Sequence, residues 1–212
     1  MDKYLKLPSF YFFCLYSILV IIFTFMANYI LFDDALYYKS FGETLSIDRI
    51  SKLIVQQKFY QKIGYGFIPV MLLLRAFYTS VCFITGAFLS EQKLTFSQCF
   101  NISIKADIIF LFELIIKINY FSIFTADSLQ KINIHILSIL QLIGINNVEP
   151  WLSYSLGILN IFELTYWFLL ALFLSHYTKK SFGYSLGFVA KTYGVGLLLW
   201  IVFIMFIVLN LF

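Results

Sequence analysis

Residues 185–212 read SLGFVAKTYGVGLLLWIVFIMFIVLNLF, and Lys191 is the one charged side chain in this stretch of 28 residues. A helix needs about 20 apolar residues to cross the hydrocarbon core of a bilayer. The stretch exceeds that length and therefore predicts a membrane-spanning helix.

The composition of the whole chain supports the same interpretation. Of 212 residues, 61% are apolar and only 12% are charged, against about a quarter charged in ordinary soluble domains. A soluble domain of this size cannot bury so much apolar surface in one core. The three cysteines are too few and too scattered for a disulfide scaffold, and the hydrophobicity excludes disorder. We therefore expect an integral membrane protein.

Four further stretches are long and apolar enough to cross the membrane. We expect an all-α, polytopic transmembrane bundle of five helices that forms a single integral membrane domain over residues 1–212. The continuous apolar runs differ from the ten-residue alternation of barrel strands. The first run is too long for a signal peptide, and no small-residue cleavage site follows it, so we interpret it as a retained anchor. The predicted spans are 10–32, 65–90, 102–124, 151–175 and 185–212.

Two stretches between the spans have one apolar face and one polar face. Residues 45–63 place Ile50 and Ile54 on one side and basic residues mostly on the others, and residues 128–143 repeat the pattern with Ile132 and Ile136. Both patterns favour amphipathic helices that lie in the headgroup plane. The alternative is a pair of connecting helices that rest on their own bundle.

Two segments of the chain resemble each other. Nine residues separate Phe96 from Lys105, and nine separate Phe182 from Lys191; each segment leaves one predicted span and enters the next. We infer two similar hairpins, made of spans two–three and spans four–five and related by a parallel repeat. Chance similarity between phenylalanine-rich segments is the competing interpretation.

Ionisable residues within spans are costly and therefore candidates for a functional role. Glu113 precedes Lys117 by four residues, which predicts a pair on one helix face. Lys105 and Lys191 lie near span ends, from which their side chains can reach the headgroups. The candidate buried polar and ion-pair residues are Arg75, Asp107, Glu113, Lys117, Asn160, Glu163 and Lys191.

Arg75 and Glu163 lie deep enough in their spans to need a partner from another helix. Asn160, Glu163 and Trp167 fall near one face and predict a polar seam. Two interpretations follow. A buried ion pair can fix the register of the bundle, or the same groups can form a proton, ion or substrate site.

Motifs for other chemistry are missing from the sequence. Two histidines about forty residues apart, with no paired-cysteine motif, make a metal site improbable, and we expect neither a cofactor nor nucleic-acid binding. A third interpretation, an intramembrane lipid enzyme, needs clustered polar groups at one interface. Asp33-Asp34 is the only adjacent acidic pair in the sequence and lacks partners nearby, which disfavours that interpretation. The glycine pairs 64/66 and 194/196 favour close helix approach or a kink over ligand binding.

The C-terminal half carries a recognisable pattern. The run 147–152 (NVEPWL) leads into 159–164 (LNIFEL), then Tyr166-Trp167 and 178–183 (TKKSFG). This pattern resembles the Yip (Ypt-interacting protein) family in its short prokaryotic five-span form. In that form an LN-[LI]-F-E-L-x-[YW] start to the fourth span precedes a T-x-K-S loop. The resemblance covers about residues 64–212.

The resemblance implies a five-helix bundle with a cytoplasmic N-terminus. Positive charge alone leaves orientation nearly tied, with seven lysines on the N-terminal side and six basic residues on the other. Eukaryotic relatives act in vesicle traffic with Rab-type GTPases and have a long polar N-terminal region, whereas only a few residues precede the first span here. The family supplies no catalytic residues to carry over.

We therefore expect a non-enzymatic protein of a prokaryotic plasma membrane that organises membrane lipids, other membrane proteins or copies of itself. The alternative is a small transporter or channel subunit that uses Arg75 and Glu163. A cavity that reaches Glu163 favours transport, and a packed, paired carboxylate favours a scaffold.

Overall fold

The computed structural model describes residues 8–124 and 128–211, which are almost entirely helical. Within those residues the extended pairing is limited to one antiparallel bridge between Ser138 and Asn160, so the predicted all-α class is confirmed. The α-helices are α1 (Ser9–Leu31), α2 (Asp34–Phe41), α3 (Ile47–Leu89), α4 (Phe96–Ala106), α5 (Ile108–Ile123), α6 (Leu129–Asn133), α7 (Ile139–Ile143), α8 (Pro150–Ile158), α9 (Ile161–Thr178), α10 (Phe182–Val189) and α11 (Val195–Leu211).

Three helical segments in the described part of the chain are long and apolar enough to cross a membrane. They are Ser9–Leu31, Ile47–Leu89 and Phe182–Asn210. The last segment combines α10 and α11 through a π-helical turn at Ala190–Gly194. The protein is therefore membrane-integral, as its composition predicts.

The second predicted span and the amphipathic segment before it form one helix, which corrects the expectation of a separate interfacial helix over 45–63. Helix α3 has 43 residues, or about 65 Å at 1.5 Å per residue, twice the thickness of a hydrocarbon core. Its N-terminal half buries Ile50 and Ile54 against Tyr37 of α2. The helix runs on through Pro69, and nothing in residues 60–66 ends it.

The expected amphipathic helix over 128–143 is also wrong, since the structure has two short helices there, α6 and α7. The predicted inward residues are nonetheless buried, including Ile132 and Ile136. The helix restarts at Ser138, whose side chain accepts a hydrogen bond from the Gln141 amide. A local cap therefore overrides the continuous apolar periodicity.

The third and fourth predicted spans are interrupted helices. Residues 102–124 divide between α4 and α5 at Asp107, and residues 151–175 divide between α8 and α9 at Leu159-Asn160. At the second break the Ile139 amide donates to the Leu159 carbonyl and the Ile161 amide donates to the Leu137 carbonyl. These bonds satisfy backbone groups that a broken helix leaves open, which hydrocarbon requires.

Two helical hairpins form the centre of the bundle. Helix α3 packs on α4, α9 packs on α10, and each hairpin also contacts the other. Their second helices begin alike, because Thr95 and Ser181 both cap the helix with a side-chain oxygen. Regular α-helix also stops within about three turns of each start, at Ala106 in the first hairpin and at Val189 in the second. This correspondence fits the predicted repeat.

Glycine permits the closest contacts between these helices. A Cβ atom on Gly194 would lie 2.7 Å from the Trp167 ring, and one on Gly196 would lie 2.5 Å from the Cys82 sulfur. The expectation of close approach is confirmed for this pair of glycines. Gly64 and Gly66 have no such contact, since nothing lies within 4 Å of the added atom, and the alternative of a kink there stays a prediction.

Candidate functional site

The centre of the site is the guanidinium group of Arg75 on α3. Its Nη2 atom lies 3.2 Å from Oε2 of Glu163, and its Nε atom lies 3.4 Å from Oδ1 of Asp107. The guanidinium carbon lies 3.2 Å from the centroid of the Phe110 ring, a cation–π contact. Arg75 is 14 residues from the end of α3, so it lies about 20 Å along the helix from that end. The expectation that Arg75 and Glu163 find partners on other helices is confirmed.

Glu163 receives hydrogen bonds on both carboxylate oxygens. Oε1 accepts from the Tyr193 hydroxyl at 2.8 Å and from Nε1 of Trp167 at 3.2 Å, and Oε2 accepts from Arg75. Three donors, one of them cationic, therefore satisfy this carboxyl group. Asn160 completes the predicted polar seam, because its Oδ1 accepts from the Glu163 amide at 2.8 Å.

The break in the fourth predicted span explains how Glu163 reaches this position. Asn160 is the N-cap of α9, and Glu163 lies in the first turn. A carboxylate near a helix N-terminus interacts favourably with the helix dipole. Because α9 starts at this point instead of running on from α8, its positive end lies next to the Glu163 side chain.

Asp107 occupies the other break, between α4 and α5. Its side chain is fully enclosed by protein, with 0% exposed surface. Neither carboxyl oxygen has a hydrogen-bond partner, and Oδ1 lies 3.4 Å from Nε of Arg75. Glu163 and Asp107 therefore differ sharply in how well the protein satisfies them.

Tyrosines connect the charge cluster to further elements. The Tyr16 hydroxyl of α1 donates to the Asp107 backbone carbonyl at 2.7 Å. The hydroxyls of Tyr166 and Thr79 lie 3.1 Å apart and are both buried. The cluster thus joins α1, α3, the α4–α5 break, α9 and the π-helical turn.

A groove of about 390 Å³ borders Glu163. Its polar lining consists of Ser138, Asn160 and Glu163, and its remaining lining is apolar apart from the Trp167 nitrogen. The groove lies where residues 137–142 meet the break before α9. The Glu163 carboxylate is packed and paired, as expected for a scaffold, and Glu163 also lines a groove, the feature expected for transport.

The other predicted polar residues lie apart from this cluster. Glu113 pairs with His135, whose Nδ1 lies 2.6 Å from Oε1, and it also interacts electrostatically with Lys117, so the expected pairing of Glu113 with Lys117 stays a prediction. The contact fastens the segment before α7 to α5. His135 was not expected as a partner, because it lies 22 residues further along the chain.

The two lysines expected to reach the headgroups behave differently. Lys191 is exposed, as snorkelling requires. Lys105 is fully buried, so that expectation is wrong for it. Its helix packs on α3 and α9 at the same time, which encloses a side chain that an isolated span end would leave free.

Sequence reasoning missed the roles of Tyr193, Tyr166 and Phe110. One signal was present: Asp107 and Tyr193 each lie 11 residues after the phenylalanine that begins the second helix of their hairpin. Positions that the predicted repeat makes equivalent therefore lie in the same cluster. Among residues 8–124 and 128–211, no group of three or more His, Cys, Asp or Glu side chains is arranged to hold a metal ion.

The fold and the cluster define an integral membrane protein with a buried ion-pair network. No family model matches the sequence, and neither the curated proteins nor the solved structures include a significant match.

Proposed function

We propose that the chain is a Yip-type, five-span protein of a prokaryotic plasma membrane that organises lipids or partner proteins and has no catalytic activity. The supporting observation is the full set of donors to Glu163, from α3, α9 and the π-helical turn. A carboxylate with this environment fixes the arrangement of the hairpins. That arrangement suits a static scaffold.

The proposed five crossings require the interrupted helices to span. The pair α4–α5 covers residues 96–123 and the pair α8–α9 covers residues 150–178. Each pair is about 40 Å long at 1.5 Å per residue, enough for a hydrocarbon core. We propose a cytoplasmic N-terminus, as in the family that the sequence resembles.

Two exposed surfaces could serve the proposed role. The outer face of α11 exposes large apolar side chains such as Phe203 and Phe206, which suit lipid chains or a neighbouring helix. The N-terminal half of α3 exposes Lys52 and Lys62, and basic side chains near a membrane surface attract anionic lipid.

Crosslinking in native membranes, followed by affinity purification and mass spectrometry of proteins and lipids, tests this proposal. We expect a stoichiometric protein partner or an enriched anionic lipid. The variant Lys52→Gln/Lys62→Gln should reduce recovery of anionic lipid, whereas the matched control Asp48→Asn, on the same exposed helix, should not. Recovery of bulk lipid alone, with no protein partner, would contradict the proposal.

A small transporter is the second candidate, and the groove beside Glu163 favours it. A transported solute would enter between residues 137–142 and the start of α9. Flux into proteoliposomes that contain the purified chain, abolished by Glu163→Gln and retained in Glu43→Gln, would support this function over the scaffold.

A further inference from the structure

The buried cluster contains unequal numbers of opposite charges. Arg75 is its one cation, and Asp107 and Glu163 are its two carboxyl groups. If both carboxyl groups were ionised, the cluster would carry a net charge of −1 inside the membrane. An uncompensated charge in a medium of low dielectric constant is strongly unfavourable, and buried groups commonly avoid it by taking up a proton.

The surroundings of the two carboxyl groups decide which one holds that proton. Glu163 accepts three hydrogen bonds and lies in the first turn of α9. Asp107 is fully buried, and neither of its carboxyl oxygens has a hydrogen-bond partner. Protonation of the cluster therefore has the lowest free-energy cost at Asp107.

The other titratable groups near Asp107 do not change this balance. Tyr16, Tyr166 and Tyr193 are neutral phenols in the cluster. Lys105 precedes Asp107 by two residues, which on a helix is nearly the opposite face. The Glu113–His135 pair is separate from these contacts. The Tyr166 hydroxyl beside Asp107 can accept a hydrogen bond from a carboxylic acid as readily as it donates one.

We propose that the Arg75–Asp107–Glu163 cluster is a proton-binding site that holds one proton at neutral pH, on the Asp107 carboxyl group. The ionised pair is then Arg75 with Glu163, and the cluster as a whole is neutral. The proposal depends on the membrane location of the cluster and not on the proposed scaffold function.

Infrared spectroscopy tests the proposal directly, because a carboxylic acid has a C=O stretching band that a carboxylate lacks. The full chain is purified in a maltoside detergent, which has no carbonyl group, and measured at neutral pH in H₂O and D₂O. We expect a deuterium-sensitive acid band that disappears in Asp107→Asn and persists in Glu113→Gln, the control outside the cluster.

Conservative variants identify which carboxyl group holds the proton. Asp107→Glu should shift the acid band, and Glu163→Asp should leave its position unchanged. Absence of an acid band in the unmodified protein, or a shift caused by Glu163→Asp alone, would overturn the proposal.

Thermal unfolding provides an independent measurement. Asparagine imitates a neutral aspartic acid, so Asp107→Asn should lower Tm much less than Glu163→Gln. An equal or larger fall for Asp107→Asn would show that the ionised form is needed and would also overturn the proposal.

Discussion

The guanidinium of Arg75 and the carboxylate of Glu163 lie 3.2 Å apart although 88 residues separate them in the chain. The contact joins the first helix of one hairpin to the first long helix of the other. Breaking a buried ion pair by removing one partner costs about 3–5 kcal/mol, because it leaves a buried charge without compensation. The pair therefore has a large influence on which packing of the hairpins is stable.

Removal of the Arg75 charge should destabilise the bundle. We expect Arg75→Gln to lower the free energy of unfolding, measured in detergent through tryptophan fluorescence, by less than the cost of about 3–5 kcal/mol for a fully buried pair, because the Arg75 side chain is 33% exposed. The matched control is Arg49→Gln, an exposed position near the start of α3, where we expect a change of less than about 0.5 kcal/mol. Equal stability of the two variants would contradict the assigned role of Arg75.

The two charges should also be energetically coupled. In a double-mutant cycle, Arg75→Gln combined with Glu163→Gln should cost about 1–3 kcal/mol less than the sum of the single changes. The double variant removes both charges, so no ionised carboxylate is left without its cation. Additive single effects would mean that the contact does not couple the hairpins.

Alanine substitutions at Gly194 and Gly187 should change the stability of the protein in opposite directions. Gly194→Ala should destabilise the protein by about 1–3 kcal/mol, because the new methyl group overlaps the Trp167 ring. Gly187→Ala on α10 meets nothing within 4 Å and should stabilise it by up to about 1 kcal/mol through helix propensity. Thermal unfolding of both variants checks this difference, and a neutral Gly194→Ala would contradict the packing.

The continuity of α3 can be measured with spin labels. Lys52 and Met71 are both exposed, and a single helix places their backbones about 28 Å apart at 1.5 Å per residue. Spin labels are attached to cysteines introduced at positions 52 and 71 in a variant with Cys14, Cys82 and Cys99 replaced. Pulsed electron–electron double resonance should then give a narrow distribution of label-to-label distances near that value. A clearly shorter distance would restore the separate interfacial helix that the amphipathic pattern of 45–63 predicts.

The sequence predicts the location of the site better than the shape of the helices around it. An arginine and a glutamate deep in predicted spans require partners, and the pairing of Arg75 with Glu163 agrees with that requirement. The partner of Asp107 was harder to predict, because the sequence around a carboxyl group in an apolar run does not indicate which helix packs against it. The start of α9 was detectable, since an asparagine followed three residues later by a glutamate is an N-terminal capping pattern.

The corrected segments share one physical cause. Over 45–63 and 128–143 the apolar periodicity identifies the buried side chains, but helix boundaries depend on local caps and on tertiary hydrogen bonds. Ser138 and the backbone bonds from 137–139 to the α8–α9 break divide one expected helix. Near Gly64 no residue caps a helix end, so the amphipathic segment and the second predicted span form one continuous helix.

The central claim is that the interrupted helices cross the membrane, and labelling of introduced cysteines in intact cells tests it most directly. Single cysteines at Lys39, Lys93, Lys131 and Lys179, in the same cysteine-free background, are treated with a membrane-impermeant maleimide. Five crossings with a cytoplasmic N-terminus predict labelling at 39 and 131 and protection at 93 and 179. Equal labelling at 93 and 131 would show that α4–α5 does not cross and would contradict the account.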